Sequence, residues 1–453
     1  MAESTNTIQK EIQDREAKEK RELRRKRRRR NQILAILTLL LFVCLIVAII
    51  GTGVWYIMHR GAGKPAGGGA STTEETTIDN LFESEDEIVK PEETNTEPTL
   101  TPEQQLDAIL DEAFISQMPL EDKVAGLFIV TPESITGVNK AVKAGDGTKD
   151  ALNKYAVGGI VYASQNMQDA AQFTEMVSNT TLYSRYALFT CVAEEGGSST
   201  SLEKAGLADK TDSEQAMGTG ADAAKAYEAF GKIADSMLTY GLNLNFAPVA
   251  DLATVQDSYL KDASYGSDAV LAASFVTSAV QGMQEKGISS CLKYFPGAAD
   301  MKEDPAKGMA SSERTAEQLA AEEFTVFKAG IDAGADMVMV GHVAVPALTG
   351  DNTPCSLSSA VITDKLRNEL GFNGVIITDA MNKGAITEYY EADEAAILAL
   401  KAGCDMILCP DDFEKAYNGV LEAVQNGTIS EERINDSLRR IYRIKYASMM
   451  PEE

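Results

Sequence analysis

From about residue 104 the chain alternates between short runs that are apolar throughout and longer stretches in which apolar residues return every three or four positions. The runs are GLFIVTP from Gly126, VGGIVYAS from Val157, ALFTCVAEE from Ala187, LNLNFAPVADL from Leu242, ISSCLKYFPG from Ile288, DMVMVGHVAVP from Asp336, GVIITDAM from Gly374 and CDMILCP from Cys404. A strand covered by helices on both sides has no polar face, so continuous apolar runs of this length predict parallel strands. The stretches between them predict helices. RTAEQLAAEEFTVFKAGIDAG offers Thr315 as an N-cap and Gln318 three residues on, the capping-box spacing, and places Phe324, Phe327 and Ile331 on one face. ISEERINDSLRRIYRIKYAS predicts a closing helix. Eight strand–helix units in about 345 residues predict a (β/α)₈ barrel over residues 104–450, with a doubly wound open sheet as the alternative.

The pattern before residue 104 is different. Residues 1–31 carry a net charge of +6, whereas the whole chain is at −26, so the barrel region is strongly acidic and unsuited to nucleic acid. The basic cluster RELRRKRRRRN abuts Ile33–Met58, a run with no charged residue, which is longer than the roughly 20 apolar residues that span a bilayer. A solvated basic tail or nucleic-acid arm is the alternative for the cluster taken alone. Together the two segments predict a cytoplasmic tail (1–31), a transmembrane signal anchor (32–58) and an extracellular remainder, by the positive-inside rule. Residues 59–103, rich in Gly, Pro, Thr and Glu, predict a flexible acidic linker. The six cysteines form no paired framework and no CxxC, so buried free thiols are expected and a zinc site is not.

In such a barrel, reactive side chains stand just past the strands, at their C-terminal ends. The residues there are Glu194, Glu195, Gly196 and Gly197 after the third run, Asn245 and Asp251 after the fourth, and Lys293, Tyr294, Asp300, Glu303 and Asp304 after the fifth. His342 follows the sixth, Asp379, Asn382 and Lys383 the seventh, and Asp411 and Asp412 the eighth. A rim this rich in carboxylates suits glycoside hydrolysis, which uses one group to attack the sugar or activate water and another to protonate the leaving oxygen. It suits magnesium binding or a plain acidic surface as well.

KYFPGAAD, GHVAVPAL, SLSSAVITDKLRNELGFNGVIITDAMNKGAI and ALKAGCDMILCP, with MPLEDKVAGLFIV and YAVGGIVYASQNMQD near the start, resemble the N-terminal catalytic domain of glycoside hydrolase family 3. The resemblance extends over roughly residues 104–448 and is strongest to the single-domain β-N-acetylglucosaminidases. It implies a retaining glycosidase acting on GlcNAc-containing glycans such as peptidoglycan, without a cofactor or metal, with Asp379 as nucleophile and Lys293 as a sugar ligand. Tyr294, Glu195, His342, Asp300 and Lys383 are the further expected substrate contacts.

The resemblance also marks departures. The family's acid/base dyad falls on Asp304 and Ala306, so the dyad histidine is absent, and the histidine next to the ligand lysine is Tyr294. Two ligand arginines fall on Ser198 and Ala263, and a ligand aspartate on Ala193. Glu303 and Asp304 are therefore the candidate acids. Two functions follow as alternatives: an anchored surface glycosidase, or a relative without activity that binds glycan or a partner protein. A metal-dependent hydrolase is the least favoured, for want of histidine ligands.

Overall fold

The computed structural model describes residue 106, residues 108–111 and residues 114–447. The basic tail, the apolar run and the acidic linker lie outside the described residues. Among the described residues, no helix is long and apolar enough to cross a membrane.

All eight apolar runs form strands. They are β1 (Phe128–Val130), β2 (Gly159–Val161), β3 (Phe189–Val192), β4 (Leu244–Asn245), β5 (Ser289–Phe295), β6 (Met337–Val340), β7 (Val375–Ala380) and β8 (Met406–Leu408). Each pairs in parallel with the next, and β8 pairs with β1 through Phe128 and Ile407, so the barrel closes. The main helices return each strand to the next: α1 (Asp146–Lys154), α2 (Ala170–Tyr183), α3 (Ala224–Thr239), α4 (Ala269–Gln284), α5 (Ala316–Ala321), α6 (Glu323–Asp332), the π-helical α7 (Ala360–Glu369), α8 (Gly384–Thr387), α9 (Ala392–Ala402), α10 (Phe413–Gln425) and α11 (Glu431–Tyr446). The strands are buried almost throughout, as expected of a sheet covered on both sides.

The capping box at Thr315 is present: its hydroxyl accepts the Gln318 N–H and the Gln318 amide oxygen accepts the Thr315 N–H. The expected single helix is nevertheless two, broken at Glu322, whose φ of −116° and ψ of −80° are not helical. Glu322 and the wholly buried Glu323 both receive Arg314, at 2.6 and 2.7 Å, and this pairing holds the break. Beyond it, Phe295 at the end of β5 stacks on Phe324 and meets Phe327 edge-on, with centroids 5.2 and 5.1 Å away. This packing fixes the strand that carries Lys293 and Tyr294. The five described cysteines are free thiols, four of them buried.

At the opposite end of the strands, Asp405, just before β8, is wholly buried and gathers three arginines. Arg367 lies at 2.7 Å, Arg440 at 3.0 Å and Arg433 at 3.6 Å. Ser437 and the Ile376 N–H complete its hydrogen bonds. Asp405 thereby ties α7, β7 and the closing helix α11 together.

Candidate active site

Asp379 is the fifth residue of β7 and is nearly buried where that strand opens into the loop before α8. One carboxylate oxygen accepts the Ala380 N–H at 2.7 Å, and the other accepts from the Lys383 ammonium at 2.6 Å. Burial, the largest influence on Asp379, works to raise its pKa. The Lys383 charge and hydrogen bond prevail, and the carboxyl stays below the usual range.

A second ion pair stands beside the first. Lys293 on β5 and Glu195 after β3 are both buried and pair directly. Burial alone pulls Lys293 down, but the Glu195 charge holds it above its ordinary value. The Tyr294 ring lies between the two lysines, 5.2 Å from the Lys293 ammonium and 5.5 Å from that of Lys383. Glu195, Lys293, Tyr294, Lys383 and Asp379 thus form one continuous row. Burial raises the Tyr294 phenol, and Lys293 works against that rise.

Glu195, Tyr294, Lys383 and Asp379 line a cavity of about 290 Å³ at the C-terminal ends of the strands, together with Tyr259, Asp304, Ala306 and His342, and Lys293 stands behind its wall. Larger hollows of about 500 and 560 Å³ lie elsewhere, one of them around Lys445 and the start of β5. The smaller cavity holds the reactive groups and opens on the rim where barrel active sites form.

The two candidate acids separate cleanly. Asp304 lines the cavity and accepts the Ala306 N–H at 2.9 Å, capping the turn Pro305–Lys307. Glu303 is exposed and is not part of the cavity wall. Asp300 is also turned away: its oxygens accept from the Ser312 hydroxyl at 2.6 Å and the Glu313 N–H at 3.1 Å, which staples the loop. Ala306, where the dyad histidine would stand, is exposed on the cavity wall.

His342 is buried with both ring nitrogens engaged. Nε2 lies 3.0 Å from the Ala380 carbonyl, which can only accept, so Nε2 carries the proton and Nδ1 accepts from Ser356 Oγ at 2.7 Å. Burial lowers its pKa, which keeps it neutral near pH 7. His342 therefore braces the backbone next to Asp379.

Other rim residues are structural. Asn245 makes a two-way pair with the Glu194 backbone. Glu194 accepts the Ser201 and Leu202 N–H groups, and burial pushes its carboxyl up to about 7. Asp251 accepts the Ala298 N–H, and Asp412 caps α10. Asn382 and Asp411 are exposed.

Glu214 has no sequence signal of its own. It is buried, takes the Val249 N–H with both oxygens, and is held well above the carboxylate range by burial and by the Glu195 charge. It opens the short helix Glu214–Thr219 after the Ser213 N-cap, and only the tertiary fold brings it behind the Lys293–Glu195 pair.

The turn that carries Asp304 rests on α8. A Cβ on Gly384 would lie 2.8 Å from the Gly308 nitrogen and 2.9 Å from the Lys307 carbonyl carbon, both backbone atoms that cannot give way locally. Gly384→Ala is therefore expected to lift this turn off α8. Trypsin should then cut after Lys307 several-fold faster than in the unaltered protein, and an unchanged digestion rate would show that the turn is held elsewhere.

The model of the glycosyl hydrolase family 3 N terminal domain matches residues 119–444. A β-hexosaminidase from Stenotrophomonas maltophilia is 30% identical over 284 residues, 60% of this chain and 82% of that protein. One from Xanthomonas campestris pv. campestris is 32% identical over 270 residues, 57% and 79%. Among solved structures, a glycoside hydrolase family 3 β-N-acetylglucosaminidase from Paenibacillus sp. superposes with a TM-score of 0.69 at 32% identity, over 74% of this chain. The chain spans a little under two thirds of that protein, 64%. A family 3 glycosyl hydrolase from Mycobacterium smegmatis superposes at 0.66 with 26% identity, over 75% of this chain and 99% of that one.

Proposed function

The chain belongs to glycosyl hydrolase family 3 and is a β-hexosaminidase-like glycosidase, and from that membership we propose that it hydrolyses terminal N-acetylhexosamine from GlcNAc-containing glycans with retention, using Asp379 as nucleophile. The observation that carries this is the placement of Asp379: a nearly buried, ionised carboxylate on the wall of a cavity at the C-terminal rim of a closed parallel barrel. Its volume, at the small end of the roughly 300–1,000 Å³ usual for ligand sites, suits a single sugar ring.

In this reaction an Asp379 oxygen attacks the anomeric carbon as the glycosidic C–O bond breaks, and water then hydrolyses the glycosyl ester. The departing oxygen needs a proton. Of the carboxylates lining the cavity, Glu195 and Asp379 each face a lysine, whereas Asp304 pairs with no lysine or arginine among the described residues. We assign the acid role to Asp304. The run Ile33–Met58 behind its basic cluster supports placing the enzyme at the cell surface, where peptidoglycan is the accessible glycan of this chemistry.

Two observations favour a second reading, a glycan-binding relative without turnover: Lys383 already occupies one oxygen of Asp379, and Ala306 stands where a proton-transferring histidine would be. Aryl N-acetyl-β-glucosaminides of graded leaving-group acidity separate the two readings. Asp304→Asn should lower kcat/KM by about 10²-fold or more on a poor leaving group and by far less on a dinitrophenyl one, the range expected of a general acid. Equal losses on both substrates would remove Asp304 from the acid role. No turnover of any aryl glycoside would leave the binding reading.

A further inference from the structure

We propose that Lys383 is a positioning residue for Asp379, holding its carboxylate ionised and fixed in the resting site and keeping the pocket competent at acidic pH; this rests on the assignment of Asp379 as nucleophile. Four features of the geometry point to it. The ammonium lies 2.6 Å from one Asp379 oxygen, while the other is turned to the Ala380 N–H, so both oxygens are oriented. The Lys383 side chain is 26% exposed against 8% for Asp379, which puts the lysine on the solvent side of the pair. The Tyr294 ring flanks the ammonium at 5.5 Å and limits its swing. Lys383 is also the N-cap residue of α8, and the packing of the Asp304 turn against Gly384 pins that start.

The groups that face Asp379 come from every wall. Lys383 stands before α8, His342 after β6, Tyr294 and Cys291 on β5, Cys409 after β8, and Tyr259 in the loop after β4. Glu195 and Asp304 line the same cavity, and Lys293, across the Tyr294 ring, is held by Glu195; apart from the lysines, only His342 can carry positive charge, and its burial holds it neutral. Removing Lys383 takes away the largest counterweight to burial and leaves the Ala380 N–H to oppose it. The sign follows. With Lys383 present, the Asp379 carboxyl lies below the usual range and the nucleophile is ionised down to low pH. Without it the carboxyl rises, and the ionised form is lost as pH falls through a higher value.

The test is Lys383→Met, with Lys383→Arg as the charge-conserving control. With a dinitrophenyl N-acetyl-β-glucosaminide, the acid limb of the kcat/KM profile should move up by about one pH unit or more in Lys383→Met. Lys383→Arg should return it most of the way. An unmoved limb in an active Lys383→Met overturns the proposal, because loss of packing alone would not shift a titration.

Thermal unfolding gives a second readout that does not need turnover. The loss of Tm in Lys383→Met should be larger at pH 8, where a buried unpaired carboxylate remains, than at pH 4.5, where Asp379 can take a proton. It should also shrink in an Asp379→Asn background. A loss of the same size at both pH values and in both backgrounds overturns the proposal. If the unaltered protein turns over no aryl glycoside, the glycosidase reading fails by itself, and the Tm series still decides whether Lys383 holds Asp379 ionised.

Discussion

Asp379→Asn is expected to reduce turnover of an activated aryl N-acetyl-β-glucosaminide by about 10³-fold or more, roughly 4 kcal/mol of barrier. The amide is nearly the same size, and its one oxygen can still accept from the Ala380 N–H, while its NH2 group turns Lys383 away. What it loses is the anionic oxygen that bonds to the anomeric carbon. An activated leaving group needs little protonation, so the result does not depend on which group is the acid. Folding is a fair concern, since Lys383 loses its charge partner. Its side chain is a quarter exposed, however, and can turn toward water. Circular dichroism of the variant should match the unaltered protein, and a 2-fluoro sugar that labels the unaltered chain by mass should leave the variant unlabelled. Residual turnover above a tenth of the starting rate would remove Asp379 as nucleophile.

That Asp379 and Lys383 could both be placed on the rim from the sequence, whereas their pairing could not, shows where one-dimensional information stops. The eight strands were legible because parallel barrel strands are buried on both faces and read as unbroken apolar runs. Their lengths were not. The run from Leu242 contains eleven apolar-rich residues, yet only Leu244 and Asn245 form β4. The rest is shaped by contacts from far along the chain, including Glu214 on Val249 and Asp251 on Ala298.

The site shows the same division. Asp304 and Glu303 are adjacent and chemically alike, and only the turn capped by Asp304 decides which faces the cavity. Asp300 looked equally available, but Ser312, twelve residues on, claims it. Lys383 lies four residues after Asp379, a spacing that reads as a helix pair. Here Asp379 lies next to the end of a strand and Lys383 caps a helix, so their meeting is a property of the turn between them. The break at Glu322 was hidden for a similar reason: the local sequence favours helix throughout, and Arg314 overrides it.

The largest effect on stability should come from the far end of the barrel. Asp405→Ala is expected to destabilise the fold by about 3–5 kcal/mol, the usual consequence of removing one partner from a buried ion pair. Asp405 has no exposure, and its oxygens receive Arg367, Arg440, Ser437 and the Ile376 N–H. Without it, three half-buried guanidinium groups face one another with no anion between them. The Arg367 side chain is already opposed by burial, which pulls its pKa down against the Asp405 charge. By contrast, removing Glu391 from its solvent-exposed pair with Lys415 should change stability by less than about 1 kcal/mol. Thermal unfolding followed by circular dichroism distinguishes the two, with a drop in Tm of about 4–7 °C expected for Asp405→Ala. A drop no larger than that of Glu391→Ala would mean that α11 is held by its apolar face alone. Because Asp405 precedes β8 while the cavity lies past the strand ends, the folded fraction of Asp405→Ala should keep its ability to bind sugar. Asp379→Asn, conversely, should leave the fold intact and remove the chemistry, so the pair of variants separates what holds the barrel from what the barrel holds.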